Sequence, residues 1–240
     1  MNTILDNIYI VLVGTIAPGN IGSTARAMKN MGLSHLCLVR PQCKITDEAF
    51  WMATNAGDIL RAAHQAETLH DAIAPAGYVV GTTARTRRWR KFAAPGEMAH
   101  KALALAAHNK VAIVFGPEDK GLSNYELQLC HDIVSIPTAP GGSSLNLSHA
   151  VMIVCYELFC SLQKGGAHKE VTRAQAAEME TMYDHMRSAL LEIGFLNTQN
   201  PDHTLGSFRR ILNRAGLTST EVNMIRGIFR QLLWYIRKYK

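Results

Sequence analysis

Short apolar runs alternate along the first part of the chain with longer segments in which apolar residues recur every three or four positions. The longer segments predict helices at 20–32, 97–107 and 146–162, with Asn20 and Asn146 as N-caps. The apolar runs predict the strands IYIVLV (8–13), HLCLV (35–39), YVVGT (78–82), VAIVFG (111–116) and DIVSIP (132–137). Strands that alternate with helices are typical of an α/β fold with a parallel sheet.

The strand pattern stops near residue 163. The polar stretch QKGGAHKEVT contains paired glycines and predicts a linker between domains. We therefore expect an α/β domain at 1–163, a linker at 164–171 and a small all-helical C-terminal domain at 172–240. Its three helices are predicted at 172–194, 205–215 and 218–238, the last with a Thr/Ser N-cap from GLTSTE.

Basic residues are concentrated in the C-terminal part of the chain. Residues 1–163 carry 13 basic and 12 acidic side chains, a net charge of +1, whereas residues 164–240 carry 12 and 7, a net charge of +5. A surface this basic favours a polyanionic partner such as RNA, although a solvated helical surface can show the same bias.

Composition also narrows the class of protein. No apolar run approaches the roughly 18 residues that a membrane helix needs, and no signal peptide is apparent, so we expect a cytoplasmic protein without a membrane partner. The five cysteines include no C-x-x-C pair, which argues against a disulfide framework and against a zinc site. We expect no metal.

The stretch GNIGSTARAMKNMGL (19–33) follows the first predicted strand and suggests an anion site at a helix N-terminus. Asn20 would offer a donor there, and Arg26 could project towards the same anion. A dinucleotide site is one alternative, but the glycines at 14, 19 and 22 do not match G-x-G-x-x-G. GNIG also matches the GXXG loop of KH modules, which is a weak signal over four residues.

A second stretch, VVGTTARTRRWRKFAAPG (79–96), carries five cationic side chains around Trp89 directly after a predicted strand. Phosphate contacts combined with base stacking would use such a cluster. The candidate RNA-binding residues are Arg85, Arg87, Arg88, Arg90 and Lys91.

Two further stretches follow strands and therefore lie where parallel sheets bind ligands. In VAIVFGPEDKGLSNYEL, Glu118 stands beside Gly116 and could serve a ligand or cap the next helix. In VSIPTAPGGSSLNLSHA, a Pro/Gly-rich loop brings Ser144 and Asn146 to the start of a helix. A hydrolase pair of Ser144 and His149 is disfavoured because G-x-S-x-G is absent.

Three of these stretches resemble, in order, the motifs of the SPOUT superfamily of S-adenosylmethionine-dependent RNA methyltransferases. NIGSTAR resembles its first motif, FGPEDKGLS its second and IPTAPGGSSLNLSHA its third, over about residues 8–160. The resemblance implies a parallel-sheet methyltransferase domain with a C-terminal trefoil knot, working as a homodimer. The helical extension and GTTARTR look most like members that methylate the 2'-oxygen of cytidine or uridine at nucleotide 32 of tRNA.

Carried over by motif, the resemblance also implies roles for individual residues. Asn20, Arg26 and Glu118 would face the substrate ribose, with Ser144 and Asn146 completing the catalytic group. Arg26 is expected to clamp a phosphate and stabilise the developing alkoxide rather than to act as a base. The S-adenosylmethionine pocket would be built by Thr82, Thr83, Ala84, Gly116, Ile136, Ser144, Leu145 and Asn146.

Two other classes of protein stay open on the sequence alone. A non-catalytic RNA-binding module would need the basic loop and the basic tail but not the small-residue loops at neighbouring strand ends. A nicotinamide-dependent oxidoreductase is disfavoured by the glycine spacing and by the lack of an acidic residue after the second strand. Methylation of another tRNA site or of rRNA is the alternative within the methyltransferases.

Overall fold

The fold is a parallel α/β domain followed by three helices, in a computed structural model that describes residues 4–84, 93–139, 144–163 and 172–239. The predicted basic loop at 85–91 and the predicted linker at 164–171 lie outside these residues. Within them, all strands belong to one sheet with the order β3-β2-β1-β5-β4-β6, and every pairing is parallel. The predicted α/β class is confirmed.

The strands are short and mostly fully buried, as expected for a sheet that is covered on both faces. Their bounds are β1 Ile8–Val13, β2 His35–Val39, β3 His64–Ala66, β4 Ala76–Thr82, β5 Lys110–Phe115 and β6 Asp132–Val134. The first two strands match the predicted bounds. β3 was not predicted, because HQA lies at the sheet edge and carries no apolar alternation.

Helices cover both faces of this sheet. One face packs against α1 Pro18–Asn30, α2 Asp47–Ala53, α3 Gly57–Arg61, α5 Pro95–Ala106 and α7 Leu147–Gln163. The other face packs against α4 Leu69–Ile73, α6 Asn124–Gln128 and Ala176. The predicted trefoil knot stays a prediction, because residues 140–143 between β6 and α7 lie outside the described part of the chain.

The C-terminal helices are α8 Ala176–Glu192, α9 Pro201–Ala215 and α10 Ser219–Tyr239. They form their own apolar cluster and confirm the predicted helical extension. The predicted cap of α10 is confirmed, since the Thr218 hydroxyl accepts from the backbone N–H of Glu221, whose carboxylate accepts from that of Thr218. Domain bounds at 163 and 172 stay predictions.

Gly22 allows α1 and α2 to pack closely. A Cβ at Gly22 would lie 2.0 Å from the carbonyl oxygen of Ala49 in α2, and one at Gly19 would lie 2.8 Å from the Glu48 carboxylate. Both glycines of GNIG therefore lie inside α1 and face a neighbouring helix, so a GXXG loop is excluded. The prediction that Asn20 caps this helix was wrong, because Pro18 begins α1 and Ala17 is its N-cap.

Replacing Gly22 with alanine is expected to destabilise the fold by about 3 kcal/mol or more, because a backbone carbonyl occupies the space of the new methyl group. The matched control is Gly227→Ala in α10, where a Cβ meets nothing within 4 Å. That variant is expected to gain roughly 0.5–1 kcal/mol from helix propensity. Urea unfolding measures both, and equal free energies of unfolding for the two variants would contradict the packing argument.

His131 lies buried where the helical extension meets the sheet. Its Nδ1 accepts from the backbone N–H of Val79 at 3.0 Å, and burial, followed by the charge of Arg173, lowers the pKa of its ring to about 4. Next to it, the Tyr78 hydroxyl donates to Asp132, and Lys101 pairs with the same carboxylate. The histidine is therefore neutral in the folded protein at neutral pH.

We expect the stability of the protein to fall as the pH is lowered from about 6.5 to about 4. Over this range the unfolded chain takes up a proton at His131 and the folded protein does not, which costs stability on the order of 3 kcal/mol. Above pH 6.5 this contribution is fully present. Urea unfolding at pH 7 and pH 4.5 tests it, and His131→Gln should show a smaller loss. An unchanged loss in that variant would show that other groups are responsible.

Candidate active site

The ends of three strands, β4, β5 and β6, surround a cavity of about 400 Å³, here called the strand-end cavity. Residues after β4, β5 and β6 line it, together with the first turns of α7. The carboxyl ends of parallel strands are where open α/β sheets bind their ligands. In this sheet β1 and β5 are neighbours although they are far apart in sequence, so the loops after them meet beside the cavity.

Most of the predicted cofactor-binding residues line the strand-end cavity. The Thr82 hydroxyl donates to the carbonyl of Val114 at 3.1 Å, which leaves its oxygen able to accept from a ligand. The backbone N–H of Thr83 donates to the carbonyl of Val134. The predicted residues that line the cavity are Thr82, Thr83, Ala84, Gly116, Ile136, Ser144 and Leu145; Asn146 lies next to them, outside the lining.

Gly116 is required by a close approach of two backbone segments. A Cβ there would lie 2.2 Å from the backbone nitrogen of Leu122 and 2.3 Å from the carbonyl carbon of Gly121. The turn from Pro117 to Gly121 therefore folds back onto the end of β5, and this turn forms one wall of the strand-end cavity.

Glu118 joins the loop after β5 to the loop after β1. Its Oε2 accepts from the backbone N–H of Ile16 at 3.0 Å, and its Oε1 accepts from that of Ala17 at 3.4 Å and from the Asn20 Nδ2 at 2.7 Å. These three donors engage most of the acceptor capacity of the carboxylate. Glu118 therefore positions the start of α1 and does not cap the helix that follows it, which is capped by Ser123.

Asn20 and Asn146 form a relay whose amide orientations are fixed. The Asn146 Oδ1 accepts from the backbone N–H and the hydroxyl of Ser148, so its Nδ2 faces Asn20 and donates to the Asn20 Oδ1 at 3.0 Å. The Asn20 Nδ2 faces the Glu118 carboxylate, which can only accept. The structure thus brings Asn20, Glu118 and Asn146 together at the edge of the cavity, and Asn146 takes the predicted place before α7.

Arg26 lies apart from this relay. Six residues separate it from Asn20 on α1, which places it about 120° further around the helix. Arg26 is exposed, and within the described residues no hydrogen bond or ion pair joins it to Asn20, Glu118 or Asn146. The predicted RNA-binding residues Arg85, Arg87, Arg88, Arg90 and Lys91 lie outside the described residues, so their role stays a prediction.

The structure adds residues that sequence reasoning missed. Ser148 orients the amide of Asn146, and the only sequence signal for it was its place two residues after a candidate cap. Phe115, Val134 and Leu147 supply apolar wall to the strand-end cavity, and the turn from Pro117 to Gly121 supplies polar wall. The short motif GPEDKG predicted a functional loop after β5, but it did not predict that the turn folds back onto the end of that strand.

The Cys43 thiol lies near the carboxylate of Glu118. Burial raises the pKa of its thiol, and the carboxylates of Glu118 and Glu48 raise it further. The thiol therefore stays protonated at neutral pH and is unsuited to act as a nucleophile.

Across the described residues, no cluster of His, Cys, Asp and Glu side chains could hold a metal ion. No helix in the part of the chain that the structure describes is long and apolar enough to cross a membrane.

The fold and the site define an RNA methylase of the SpoU type. Residues 7–156 match the SpoU rRNA methylase family, which covers more than half of the chain, and the chain therefore belongs to that family. Residues 177–240 match the C-terminal domain of the tRNA methyltransferase TrmJ. The resemblance to the SPOUT methyltransferases is thereby confirmed.

Individual relatives agree with this assignment. The tRNA (cytidine/uridine-2'-O-)-methyltransferase TrmJ of Escherichia coli K12 is 42% identical over 232 residues, which is 93% of this chain and 94% of the relative. The crystal structure of TrmJ from Z. mobilis ZM4 has a TM-score of 0.82 at 30% identity and covers 93% of this chain and 98% of its own. The methyltransferase AviRb from Streptomyces viridochromogenes, solved with AdoMet, is 22% identical with a TM-score of 0.52 and shares the fold.

Proposed function

We propose that this protein transfers a methyl group from S-adenosylmethionine to the 2'-oxygen of a ribose in tRNA, at cytidine or uridine 32 of the anticodon loop. The observation that carries the proposal is the relay from Asn146 through Asn20 to Glu118 at the rim of the strand-end cavity. The names of the TrmJ relatives, which match along nearly the whole chain, support the substrate and the reaction.

The strand-end cavity fits S-adenosylmethionine. Apolar side chains of Val134, Ile136 and Leu145 offer a wall for the adenine ring, and the Thr82 hydroxyl can accept a hydrogen bond. Glu118 and Asp119 also line the cavity, and their negative charges would favour a sulfonium. When bound, this cofactor supplies a methyl group that already carries a good leaving group.

The chain's own residues would hold the ribose and stabilise the negative charge that develops on its 2'-oxygen. The Asn20 Oδ1 is oriented by Asn146 and can accept from a ribose hydroxyl. The Ser144 hydroxyl, on the wall of the strand-end cavity, could hydrogen-bond the same ribose. Arg26 keeps its proton, since a guanidinium is not deprotonated in proteins. It would clamp the adjoining phosphate and stabilise the developing alkoxide, while the hydroxyl proton leaves to phosphate or to water.

Arg26 reaches a ribose most simply if the protein is a homodimer. Exposed aromatic side chains support an interface on the same face of the fold as Arg26: Tyr156 on α7 is 52% exposed and Trp51 on α2 is 77% exposed. In a two-fold dimer the same surface of both subunits is buried, so Arg26 of one subunit would serve the pocket of the other. Sedimentation analysis of the protein tests this, and a monomer at micromolar concentration would contradict it.

The helical extension would bind the body of the tRNA, mainly through phosphates. On α10 the basic side chains Arg226, Arg230, Arg237 and Lys238 outnumber the acidic Glu221. Phosphate contacts position an RNA but read little of its sequence, and their contribution weakens as salt is added. Modification of tRNA in the cytoplasm is consistent with this proposal.

The deciding experiment is transfer of labelled methyl from S-adenosylmethionine to unmodified bulk tRNA, followed by nuclease digestion and mass analysis. We expect 2'-O-methylcytidine or 2'-O-methyluridine that maps to nucleotide 32. Label in rRNA alone would support methyl transfer to RNA but would show that the substrate is rRNA and not tRNA. Cofactor binding without label in either RNA would overturn the substrate class, and RNA binding without cofactor binding would favour a non-catalytic module.

A further inference from the structure

A second cavity, of about 570 Å³, lies next to the strand-end cavity and has no role in the reaction described above. It lies between the loops that follow β1 and β2, and is here called the β1–β2 cavity. The two cavities share Pro117, Lys120 and Gly121 as a common wall. A ligand in the β1–β2 cavity would therefore be separated from the strand-end cavity by the turn from Pro117 to Gly121. Its volume lies in the range of roughly 300–1,000 Å³ that ligand sites occupy.

The walls of the β1–β2 cavity are held by hydrogen bonds between the two strand ends. The backbone N–H of Gly14 donates to the carbonyl of Val39 at 2.8 Å, and the Gln42 Nε2 donates to the carbonyl of Gly14 at 3.1 Å. Arg40 has a φ of +42°, which is uncommon for a residue with a side chain, and its N–H is held by the carbonyl of Ala66. Strained backbone of this kind is found preferentially at functional sites.

The charge of the lining favours a monoanion. Arg40 and Lys120 carry positive charge, and their side chains are 61% and 77% exposed. Glu126 carries the single negative charge, and its Oε2 is engaged by the backbone N–H of Ser123. The ion pair between Arg40 and Glu126 is long, at 3.6 Å. The lining residues carry a net charge of +1, and Asp119, which lies outside the lining, pairs with Lys120 at 3.4 Å. One phosphodiester group carries the single negative charge that this lining favours.

We propose that the β1–β2 cavity binds the RNA nucleotide adjoining the methylated ribose, with its phosphate on Arg40 and Lys120 and its base beside Gln42. The proposal rests on the proposed function, since it requires an RNA in the strand-end site. Arginine suits this task because its planar guanidinium donates two parallel hydrogen bonds to phosphate oxygens. A filled β1–β2 cavity would fix the register of the RNA strand and so set which ribose meets the Asn20–Asn146 relay.

Arg40 is the residue to change, because it lines the β1–β2 cavity and not the strand-end cavity. Arg40→Asn removes the charge and keeps a residue that tolerates positive φ. Arg40→Lys restores the charge, and Arg61→Ala on α3 is a matched control that removes an exposed cation away from both cavities. Methyl transfer is measured against tRNA concentration at saturating S-adenosylmethionine, and tRNA binding is measured separately by fluorescence anisotropy at several salt concentrations.

For Arg40→Asn we expect the KM and the Kd for tRNA to rise about tenfold, with kcat unchanged within about twofold. Arg40→Lys should recover most of the loss, and Arg61→Ala should behave as the wild type. The slope of log Kd against log salt should fall by about 0.7 in Arg40→Asn. Equal KM and Kd values for Arg40→Asn and Arg61→Ala would overturn the proposal.

Failure of the proposed function gives a different result. If the wild-type protein binds tRNA but transfers no methyl group, the reaction is wrong, and the Kd comparison between Arg40→Asn and Arg61→Ala still decides on the β1–β2 cavity. If the wild-type protein neither binds nor methylates tRNA, both proposals are overturned. Urea unfolding of each variant separates a loss of binding from a loss of fold.

Discussion

Replacement of Arg26 with alanine is expected to slow methyl transfer to tRNA by about 10²–10³-fold, while the affinity for S-adenosylmethionine stays within about twofold. Arg26 is exposed and does not line the strand-end cavity, so its loss should leave cofactor binding intact. Its guanidinium would act only when charge develops on the ribose oxygen. Single-turnover kinetics measures the rate, and titration calorimetry measures the cofactor affinity.

The matched control for Arg26→Ala is Lys29→Ala, which removes another cation from the same helix. The ion pair of Lys29 with Asp58 is lost in this variant. That variant should retain methyl transfer within about threefold, because an exposed ion pair contributes little. A loss of cofactor affinity in Arg26→Ala would contradict the clamp and place Arg26 in cofactor binding instead.

Mixed dimers show which subunit's pocket Arg26 serves. Each homodimer of Arg26→Ala or of Asn146→Ala should be nearly inactive. A mixed dimer of the two variants has one intact site if Arg26 acts on the partner's pocket, so equal mixing should restore about a quarter of the wild-type rate. No recovery on mixing would show that Arg26 acts within its own subunit, or that the subunits do not pair.

The second large effect is expected from Gly116→Ala, which should weaken S-adenosylmethionine binding by roughly 100-fold or more. The new methyl group would overlap backbone atoms of Gly121 and Leu122 at 2.2–2.3 Å, and backbone cannot move aside as a flexible side chain can. The turn from Pro117 to Gly121 would have to shift, and this turn is a wall of the cavity. A misplacement of about 1 Å in an active site can cost about two orders of magnitude in rate, and we expect a loss of similar size in cofactor affinity when the cavity wall itself shifts.

The control for Gly116→Ala is Gly57→Ala, at which a Cβ finds only ordinary contacts at 3.5 Å and lies away from both cavities. It should bind S-adenosylmethionine as the wild type does. Calorimetry gives both affinities, and unfolding in urea shows whether Gly116→Ala still folds. A folded Gly116→Ala protein with wild-type affinity would mean that the turn adapts without closing the cavity.

Periodicity was sufficient to predict the α/β class and the long elements. The strands β1 and β2 are buried except for Tyr9 and His35 and consist mostly of apolar residues, and α7 carries small and apolar residues at helical spacing. The short helices α2, α3, α4 and α6 each span only one or two turns, so no period could emerge from them. β3 is polar and exposed at the sheet edge, and tertiary pairing with β2 decides its structure.

The site was predicted in part. The rule that ligands bind at the carboxyl ends of parallel strands gave the location, and the motif resemblance gave residues that line the strand-end cavity. The sequence could not predict the hydrogen bonds within the site: the Glu118 carboxylate accepts from Asn20 and from the backbone N–H groups of Ile16 and Ala17, whereas its expected contact with the ribose stays a prediction. Hydrogen bonds between residues some hundred positions apart leave no periodic signal.

The long sequence separation within the relay also constrains when the protein can begin to work. Glu118 lies 98 residues after Asn20, and Asn146 lies 126 residues after it, so no early segment of the chain contains a working site. Contacts this distant form late in folding, because the intervening chain must first be ordered. A nascent chain still attached to the ribosome is therefore inactive at least until residues beyond Ser148 have emerged.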